Sequence, residues 1–244
     1  MGEKRKGAAR ACERVTLPAP RTLDLNFGRG IRLSSMQTDT AQTDTAQTDT
    51  ARTGIAHPDT APLRVVLVIG SNRHGRFGPV VADWLLDRLR DRDDLVAEVV
   101  DVAEADLPMS FASPPAPSAV TPKLASADAF VVLTPEYNHS FPAGLKNLVD
   151  WHFTEWQAKP VALVSYGGVS GGLRAVEHLR QVFAELHAVT VRDTVSFHNA
   201  GSSFEDGRPK DPSGPDAAAK TMLDQLVWWG RVLRQGRTAM PYTR

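Results

Sequence analysis

The pattern that most constrains the fold is a set of five short apolar segments, each separated from the next by a helical pattern. The apolar segments are residues 65–69, 96–102, 129–133, 161–165 and 189–195. The helical patterns begin at Pro79, cover 122–127, 142–151 and 173–186, and end with a helix through Leu223, Leu226, Val227 and Leu233. Strands that alternate with helices predict a parallel sheet covered on both faces. We therefore expect an α/β fold, a doubly wound five-stranded parallel sheet, over residues 63–244.

The segment before this domain has a different character. Residues 37–61 consist of five pentads, QTDTA three times followed by RTGIA and HPDTA, and offer almost no apolar surface. Without burial a chain cannot offset the entropy lost on ordering. We predict that residues 1–62 form a disordered, low-complexity N-terminal tail. Because Met36 directly precedes the first pentad, we also expect translation to start there, which the intact mass of the native protein would test.

The loop after the first strand is Gly70-Ser71-Asn72-Arg73-His74-Gly75-Arg76-Phe77-Gly78. Ligands of doubly wound sheets lie beyond the carboxyl ends of the strands. Backbone N–H groups at a helix N-terminus, the Ser71 hydroxyl and the guanidinium groups of Arg73 and Arg76 are suited to a phosphate. The loop lacks the second glycine of G-x-G-x-x-G and the G-K-[ST] of nucleotide triphosphatases. A phosphate monoester is therefore favoured over a dinucleotide or ATP.

The loop after the third strand is Thr134-Pro135-Glu136-Tyr137-Asn138-His139-Ser140-Phe141-Pro142. Pro135 restricts its predecessor to extended geometry and so ends the strand. Glu136, Tyr137 and Asn138 then present amides, a flat ring and an amide side chain, which suit a flat heterocycle with polar edges. Ser140 is predicted to cap the helix that follows. A simple turn with a helix cap explains this loop equally well.

The loop after the fourth strand, Ser165-Tyr166-Gly167-Gly168-Val169-Ser170-Gly171-Gly172, is dense in glycine. Glycines allow backbone N–H groups to approach the edge of a ring closely. The alternative is a permissive connection between a strand and a helix.

The three loops carry the motifs G-S-x-R-x-x-R, T-P-E-Y-N-x-S-x-P-x-x-L-K-N-x-x-D-W and S-x-G-G. Together they resemble the NADPH-dependent FMN reductase family, which has a flavodoxin-like fold, over about residues 64–235. The second motif is the most specific, because it is matched at the expected spacing by Leu145-Lys146-Asn147, Asp150 and Trp151. Where many members carry Ser and Asn, this chain has Arg76 and Gly78.

The resemblance implies noncovalently bound FMN, with NADPH or NADH as co-substrate. By this resemblance the residues that would hold the FMN phosphate are Ser71, Arg73 and Arg76. Those that would line the isoalloxazine and ribityl chain are Pro135, Glu136, Tyr137 and Asn138. Those that would flank the pyrimidine edge of the ring are Ser165, Tyr166, Gly167 and Gly168.

The implied activity is that of a flavoprotein oxidoreductase. It would pass hydride from NAD(P)H through FMN to a flavin, quinone or similar small acceptor, with ping-pong kinetics. The flavin carries the chemistry, so no side chain is predicted as a general acid or base and no catalytic residue is assigned. A non-enzymatic FMN-binding electron carrier or redox sensor is the alternative.

A serine hydrolase is a second alternative from another reaction class. Gly168-Val169-Ser170-Gly171-Gly172 matches the G-x-S-x-G nucleophile elbow, and Asp193 and His198 follow in the chain order of such enzymes. Only about 70 residues follow Ser170, however, too few for the later strands that normally carry the acid and the histidine. This interpretation also leaves the arginine loop unexplained.

Composition limits the partners. With 28 basic and 28 acidic residues the formal net charge is zero, which gives no reason to expect nucleic acid or a membrane surface. The single cysteine, Cys12, excludes an internal disulfide, and the histidines lack metal-ligand spacing, so no metal site is predicted. We expect a cytoplasmic protein. By resemblance it would form a homodimer or homotetramer, with the helix over 142–151 and Trp156 at the contact face.

Overall fold

The computed structural model describes residues 60–110, 112–113 and 115–243. The predicted tail over 1–62, apart from its last three residues, and the proposed start at Met36 lie outside these residues. In chain order the elements are β1 (Leu63–Ile69), α1 (Gly78–Arg90), β2 (Leu95–Asp101), α2 (Thr121–Ser126), β3 (Ala129–Pro135), α3 (Ala143–Trp151), β4 (Pro160–Tyr166), α4 (Leu173–Glu185), β5 (Val189–Thr190), β6 (Val195–Phe197), α5 (Ala200–Ser203), β7 (Phe204–Glu205), β8 (Arg208–Pro209) and α6 (Ser213–Ala239).

The main sheet is parallel throughout, with the order β2-β1-β3-β4 followed by an edge position that β5 and β6 share. This 2-1-3-4-5 order is that of flavodoxin-like folds, and it reverses direction between β1 and β3. The predicted fold class is therefore confirmed. Because all strands are parallel, the loops that follow β1, β3 and β4 lie at the same edge of the sheet.

Two hydrophobic cores cover the two faces of the sheet. Alternate residues of β1 point to opposite faces, so Leu67 and Ile69 pack in one core while Val66 and Val68 pack in the other. The first core adds α1 and α6, and the second adds α3 and α4. This double cover explains why the strands are almost continuously apolar rather than alternating.

The predicted fifth strand over 189–195 was wrong in its continuity, since the structure interrupts it after Thr190. The Arg180 side chain donates to the carbonyl oxygens of Val191 and Arg192, each at 2.8 Å. The N–H of Asp193 donates to the Gln225 side chain at 3.1 Å. Side chains of α4 and α6 thus take hydrogen bonds that a continuous strand would have used for its ladder.

Two expectations around α3 were also wrong. The residue that precedes the helix is Pro142, and no side chain caps it, because the Ser140 hydroxyl pairs instead with Nδ1 of His178 at 3.0 Å. Trp156 is fully buried between the rings of Phe130 and Phe183. Trp156 therefore belongs to the second core and cannot form a contact face for another copy of the chain.

Lys159 is a buried cation at the start of β4, and it gives the first testable prediction. Its Nζ donates to the carbonyl oxygens of Leu124 and Ala125 at 3.0 and 2.9 Å, at the end of α2. Burial, with a smaller contribution from Arg237, lowers the pKa of Lys159 from 10.5 to about 8. Between these values the unfolded chain keeps a proton that the folded chain has lost, so stability rises with pH.

We expect the free energy of unfolding of the wild type to increase between pH 8 and pH 10.5 relative to Lys159→Met, by up to about 3 kcal/mol. Urea unfolding of both proteins across this window measures the difference, in which the other titrating groups cancel. Parallel curves for the two proteins would contradict the assignment.

Candidate functional site

The site lies where three loops meet at the carboxyl edge of the sheet: a first loop (residues 70–77), a second loop (136–142) and a third loop (167–172). Two side-chain contacts join them. The Ser71 and Tyr137 hydroxyls are 2.7 Å apart and link the first loop to the second. The Ser170 hydroxyl donates to Oε2 of Glu136 at 2.8 Å and links the second loop to the third. The structure thus brings together the loops that the sequence predicts as one site.

The first loop has the properties of an anion site. The backbone N–H groups of Asn72 and of residues 74–78 make no hydrogen bond within the described part of the chain. They stand at the N-terminus of α1, whose dipole favours negative charge. Ser71 is buried, while Arg73 is exposed and forms no ion pair with any residue that the structure describes. Its guanidinium lies 5.9 Å from the centre of the Tyr137 ring.

Arg76, the second arginine of the first loop, is paired within the protein. Both terminal nitrogens contact the Asp101 carboxylate at the end of β2, one of them at 2.5 Å. Its Nη1 also donates to the carbonyl oxygen of Ser71 at 2.5 Å. The two side chains are only 15% and 10% exposed, and the hydrogen bonds that Arg76 donates to Asp101 raise the pKa of Arg76. Arg76 therefore braces the first loop against β2 and neutralises Asp101.

The second loop makes a tight turn. Tyr137 and Ser140 exchange two backbone hydrogen bonds, at 2.8 and 3.1 Å. Between them Asn138 and His139 have φ of 50° and 71°, the left-handed pair that a type I′ turn requires. The N–H groups of these two residues find no partner among the described residues. The turn thus holds two open donors at the site.

The Glu136 carboxylate forms its hydrogen bonds and its ion pair within the protein rather than with a ligand. Its carboxylate is 5% exposed and accepts hydrogen bonds from Nε of Arg174 at 2.5 Å and from Ser170. Burial works to raise the pKa of Glu136, but the bonds from Arg174 and Ser170 outweigh it and lower the pKa. Arg174 also donates to Nε2 of His139 at 2.7 Å. The ion pair therefore fixes the second loop against the start of α4. Pro135, the residue before Glu136, is buried as the last residue of β3.

Of the four residues predicted at the third loop, Ser165 and Tyr166 are buried, whereas Gly167 and Gly168 are more exposed. The Ser165 hydroxyl is buried and donates to the carbonyl of Gly171 at 2.8 Å. Tyr166 is 6% exposed and packs in the first core. Gly167 and Gly168 lie at the surface, and the N–H groups of residues 168–170 make no hydrogen bond with any described residue. Of the four predicted residues only Gly168 therefore presents an open backbone donor, because the N–H of Gly167 donates to the carbonyl oxygen of Phe197 at 3.1 Å.

The hydrolase alternative is wrong. Ser170 pairs with Glu136, and the His198 ring donates from Nδ1 to the carbonyl of Val169 at 2.8 Å. The Asp193 carboxylate contacts Arg192 and the Gln225 side chain instead of His198. Since the acid, the histidine and the serine each have other partners, they form no catalytic triad.

Sequence reasoning missed two residues that shape the site, Asp101 and Arg174. Each had a signal. An arginine in the first turn of a helix opposes the helix dipole, so Arg174 indicated a nearby carboxylate. Asp101 ends the strand that pairs with β1 and lies in register with Ile69, one residue before the first loop. An acid at that position is within reach of an arginine in the loop.

The residues that the structure describes contain no group of three His, Cys, Asp or Glu residues that could hold a metal ion. None of their helices is both long enough and apolar enough to cross a membrane.

This fold, with open donors on three loops at its carboxyl edge, defines the class of flavodoxin-like nucleotide-binding proteins. The model of the NADPH-dependent FMN reductase family matches residues 63–202. The chain belongs to this family, which confirms the resemblance drawn from the sequence.

Individual relatives agree with the family. An NAD(P)H-dependent FMN reductase of Schizosaccharomyces pombe is 34% identical over 122 residues, 45% of this chain and 60% of the relative. The chain therefore spans about three fifths of that protein. A quinone reductase of Escherichia coli is 34% identical over 138 residues, which cover 53% of this chain and 73% of the relative.

A solved structure shares the fold. The flavoenzyme NAD(P)H:(acceptor) oxidoreductase FerB from Paracoccus denitrificans superposes with a TM-score of 0.57 at 23% identity, covering 70% of this chain and 98% of that one. At this identity the likeness concerns the fold alone.

Proposed function

We propose that this protein binds FMN noncovalently and transfers reducing equivalents from NAD(P)H to a small acceptor such as a quinone or a free flavin. The observation that carries the proposal is the set of N–H groups in the first loop that have no partner within the described chain, beside Ser71 and Arg73. Open backbone donors and a cation at a helix N-terminus fit the phosphate of FMN. The names of the relatives, FMN reductase and quinone reductase, support the choice of acceptors.

The residues that would hold the cofactor follow from the geometry. Ser71 and Arg73 would bind the phosphate, while Arg76 would act on it only through the position of the first loop. Tyr137 and Asn138 would face the ring and the ribityl chain, with Pro135 and Glu136 holding the second loop in place. The open N–H groups around Gly168 would lie at the pyrimidine edge, with Gly167 and Ser165 shaping the backbone beneath them.

Bound FMN supplies a two-electron centre that accepts hydride from NAD(P)H and reduces an oxidant. The protein's contribution is to bind, orient and stabilise. The open N–H groups of the third loop would donate to the edge of the ring that becomes negative on reduction and so would stabilise the reduced form without a proton transfer. No side chain at the site has to serve as a general acid or base, and a single open face would impose ping-pong kinetics.

The test is spectroscopic and kinetic. We expect the purified protein, loaded with FMN, to lose its flavin absorbance on anaerobic addition of NADPH or NADH and to regain it when a quinone is added. Initial rates at varied donor and quinone should give parallel double-reciprocal lines. Bleaching without turnover of any acceptor would indicate an electron carrier or sensor instead, and retention of the absorbance with both donors would reject the reductase.

Arg73→Ala tests the phosphate position. A charge-assisted hydrogen bond contributes about 1.5–3 kcal/mol, so the dissociation constant for FMN should rise by about 10- to 150-fold. Arg90→Ala, which removes an exposed arginine from the last turn of α1, is the matched control and should leave the constant unchanged. Equal FMN affinities for the wild type and Arg73→Ala would remove Arg73 from the site.

We further propose that the protein acts in the cytoplasm on small molecules, as a homodimer or homotetramer, with no nucleic acid or membrane as a partner. The balanced charge of the chain supports the absence of nucleic acid and membrane partners. Sedimentation at micromolar concentration should show two or four copies, and a monomer alone would contradict the proposed assembly.

A further inference from the structure

The hydroxyl of Tyr166 is a buried polar group without a partner. Tyr166 is 94% buried, and its Oη makes no hydrogen bond within the described part of the chain. The Ser71 hydroxyl lies close enough to offset part of the rise that burial causes in the pKa of Tyr166, but it does not meet hydrogen-bond geometry with Oη and is paired with the Tyr137 hydroxyl at 2.7 Å. Buried hydroxyls in folded proteins are nearly always hydrogen-bonded, so this exception calls for an explanation.

The hydroxyl lies beneath the start of α1, at the first loop. A Cβ built on Gly78, the first residue of α1, would lie only 3.0 Å from Tyr166 Oη and 3.2 Å from Cγ2 of Ile69. The N–H of Gly78 is itself open among the described residues, as are those of residues 74–77 in the loop that leads to it. Two independent features, open backbone donors and a buried side-chain donor, therefore converge on one place.

The chemistry of the hydroxyl restricts what it can meet there. Burial raises the pKa of Tyr166, so the group stays protonated at neutral pH and can donate. The backbone N–H of Gly78 beside it is an open donor, and Arg76 is already bonded to the Asp101 carboxylate. A buried hydroxyl donor beside open backbone donors fits a ligand that offers several acceptor oxygens, as a phosphate monoester does.

We infer that Tyr166 donates a hydrogen bond from Oη to an oxygen of the phosphate monoester held by the first loop. Tyr166 is then a phosphate ligand contributed by β4, and not a residue of the pyrimidine edge as the sequence predicts. The inference rests on the proposed function, since FMN supplies the phosphate. A phenylalanine would fill the same space without leaving a donor unpaired, so the hydroxyl costs stability until the ligand arrives.

The test compares FMN with riboflavin, which lacks the phosphate, in the wild type and in Tyr166→Phe. Fluorescence titration of the FMN-free proteins should show FMN binding weakened about 10- to 100-fold by the substitution, with riboflavin binding unchanged. In the same proteins without flavin, Tyr166→Phe should unfold at a temperature equal to that of the wild type or about 2–4 °C higher.

The other two tyrosines of the chain are matched controls. Tyr242→Phe removes a hydroxyl that contacts His187 at 2.6 Å, and FMN affinity should not change. Tyr137→Phe removes a hydroxyl that already has a partner in Ser71, so the flavin-free protein should unfold at a lower temperature. Tyr166→Phe should therefore keep or raise the unfolding temperature while Tyr137→Phe lowers it, and this contrast distinguishes an unpaired hydroxyl from a paired one.

An unchanged ratio of FMN to riboflavin affinity in Tyr166→Phe would overturn the inference and leave the proposed function intact. Loss of folding in that variant would also overturn it, because the hydroxyl would then have a structural partner. If the wild type itself binds no FMN, the proposed function fails and the inference fails with it.

Discussion

Arg76→Ala is expected to lower the free energy of unfolding by about 3–5 kcal/mol, because it leaves the buried Asp101 carboxylate without its cation. The same change should weaken FMN binding by about 100-fold or more. An unpaired carboxylate behind the first loop repels a phosphate, and the Ser71 carbonyl loses the bond that holds it. Urea unfolding of the flavin-free protein and titration with FMN measure the two effects.

The double variant Arg76→Ala/Asp101→Ala distinguishes two roles for Arg76: neutralising Asp101 to hold the first loop in place, or binding the phosphate directly. If Arg76 acts by neutralising Asp101, removal of both should recover most of the stability and part of the FMN affinity. The control is Arg64→Ala, which breaks the exposed pair with Glu98 between β1 and β2 and should cost less than about 1 kcal/mol. FMN binding that is equally weak in the single and double variants would show Arg76 to be a direct phosphate ligand.

Gly172→Ala is expected to lower the free energy of unfolding by about 2–4 kcal/mol. Gly172 has φ of +86°, and a Cβ there would lie 2.7 Å from Cβ of Ser165 and 3.1 Å from the backbone nitrogen of Tyr166. The left-handed backbone and the clash with β4 both oppose a side chain, and neither neighbour can move without disturbing the sheet. Urea unfolding in the absence of flavin measures the loss.

Gly168→Ala is the matched control in the same loop. Its Cβ would have no heavy atom within 4 Å, so stability should change by less than about 0.5 kcal/mol. It is nevertheless expected to weaken FMN binding, because a methyl group would keep the open N–H groups of the third loop away from the ring. Equal stability losses for the two glycine variants would contradict the described geometry of this loop.

The position of the site was predictable because it follows from topology. Apolar runs that alternate with helices imply a parallel sheet, and a parallel sheet brings the ends of β1, β3 and β4 to one edge. That rule placed Ser71, Tyr137 and Gly168 together without any coordinates. The bounds of the strands at the centre of the sheet were predictable to within two residues for the same reason, since burial on both faces leaves a continuous apolar segment.

The pairing of charged side chains was not predictable in the same way. Arg76 and Glu136 are both residues that the motifs assign to the ligand, yet the structure gives each a partner within the protein, Asp101 and Arg174. Partner choice depends on the reach of long side chains across neighbouring strands and loops, which periodicity does not encode. The same limit explains β5, where the Arg180 side chain interrupts a strand that the apolar pattern favours.

The direction in which the Tyr166 side chain points was predictable in principle from the sequence, although the motif did not give it. Residues 162, 164 and 166 share one face of β4, and the first two lie in the core beneath α1 and α6. Alternation along the strand therefore predicts that Tyr166 points toward α1 and the first loop. The family resemblance assigned Tyr166 to the pyrimidine edge, whereas strand periodicity gives the direction of its side chain.

The central claim is that the first loop anchors the phosphate of a flavin mononucleotide. Titration calorimetry of the flavin-free wild type with FMN and with riboflavin tests it most directly, because the two ligands differ only in that phosphate. We predict one FMN bound per chain, with an affinity at least about 100-fold higher than that for riboflavin. Equal affinities for the two ligands, or no heat with FMN, would contradict the claim.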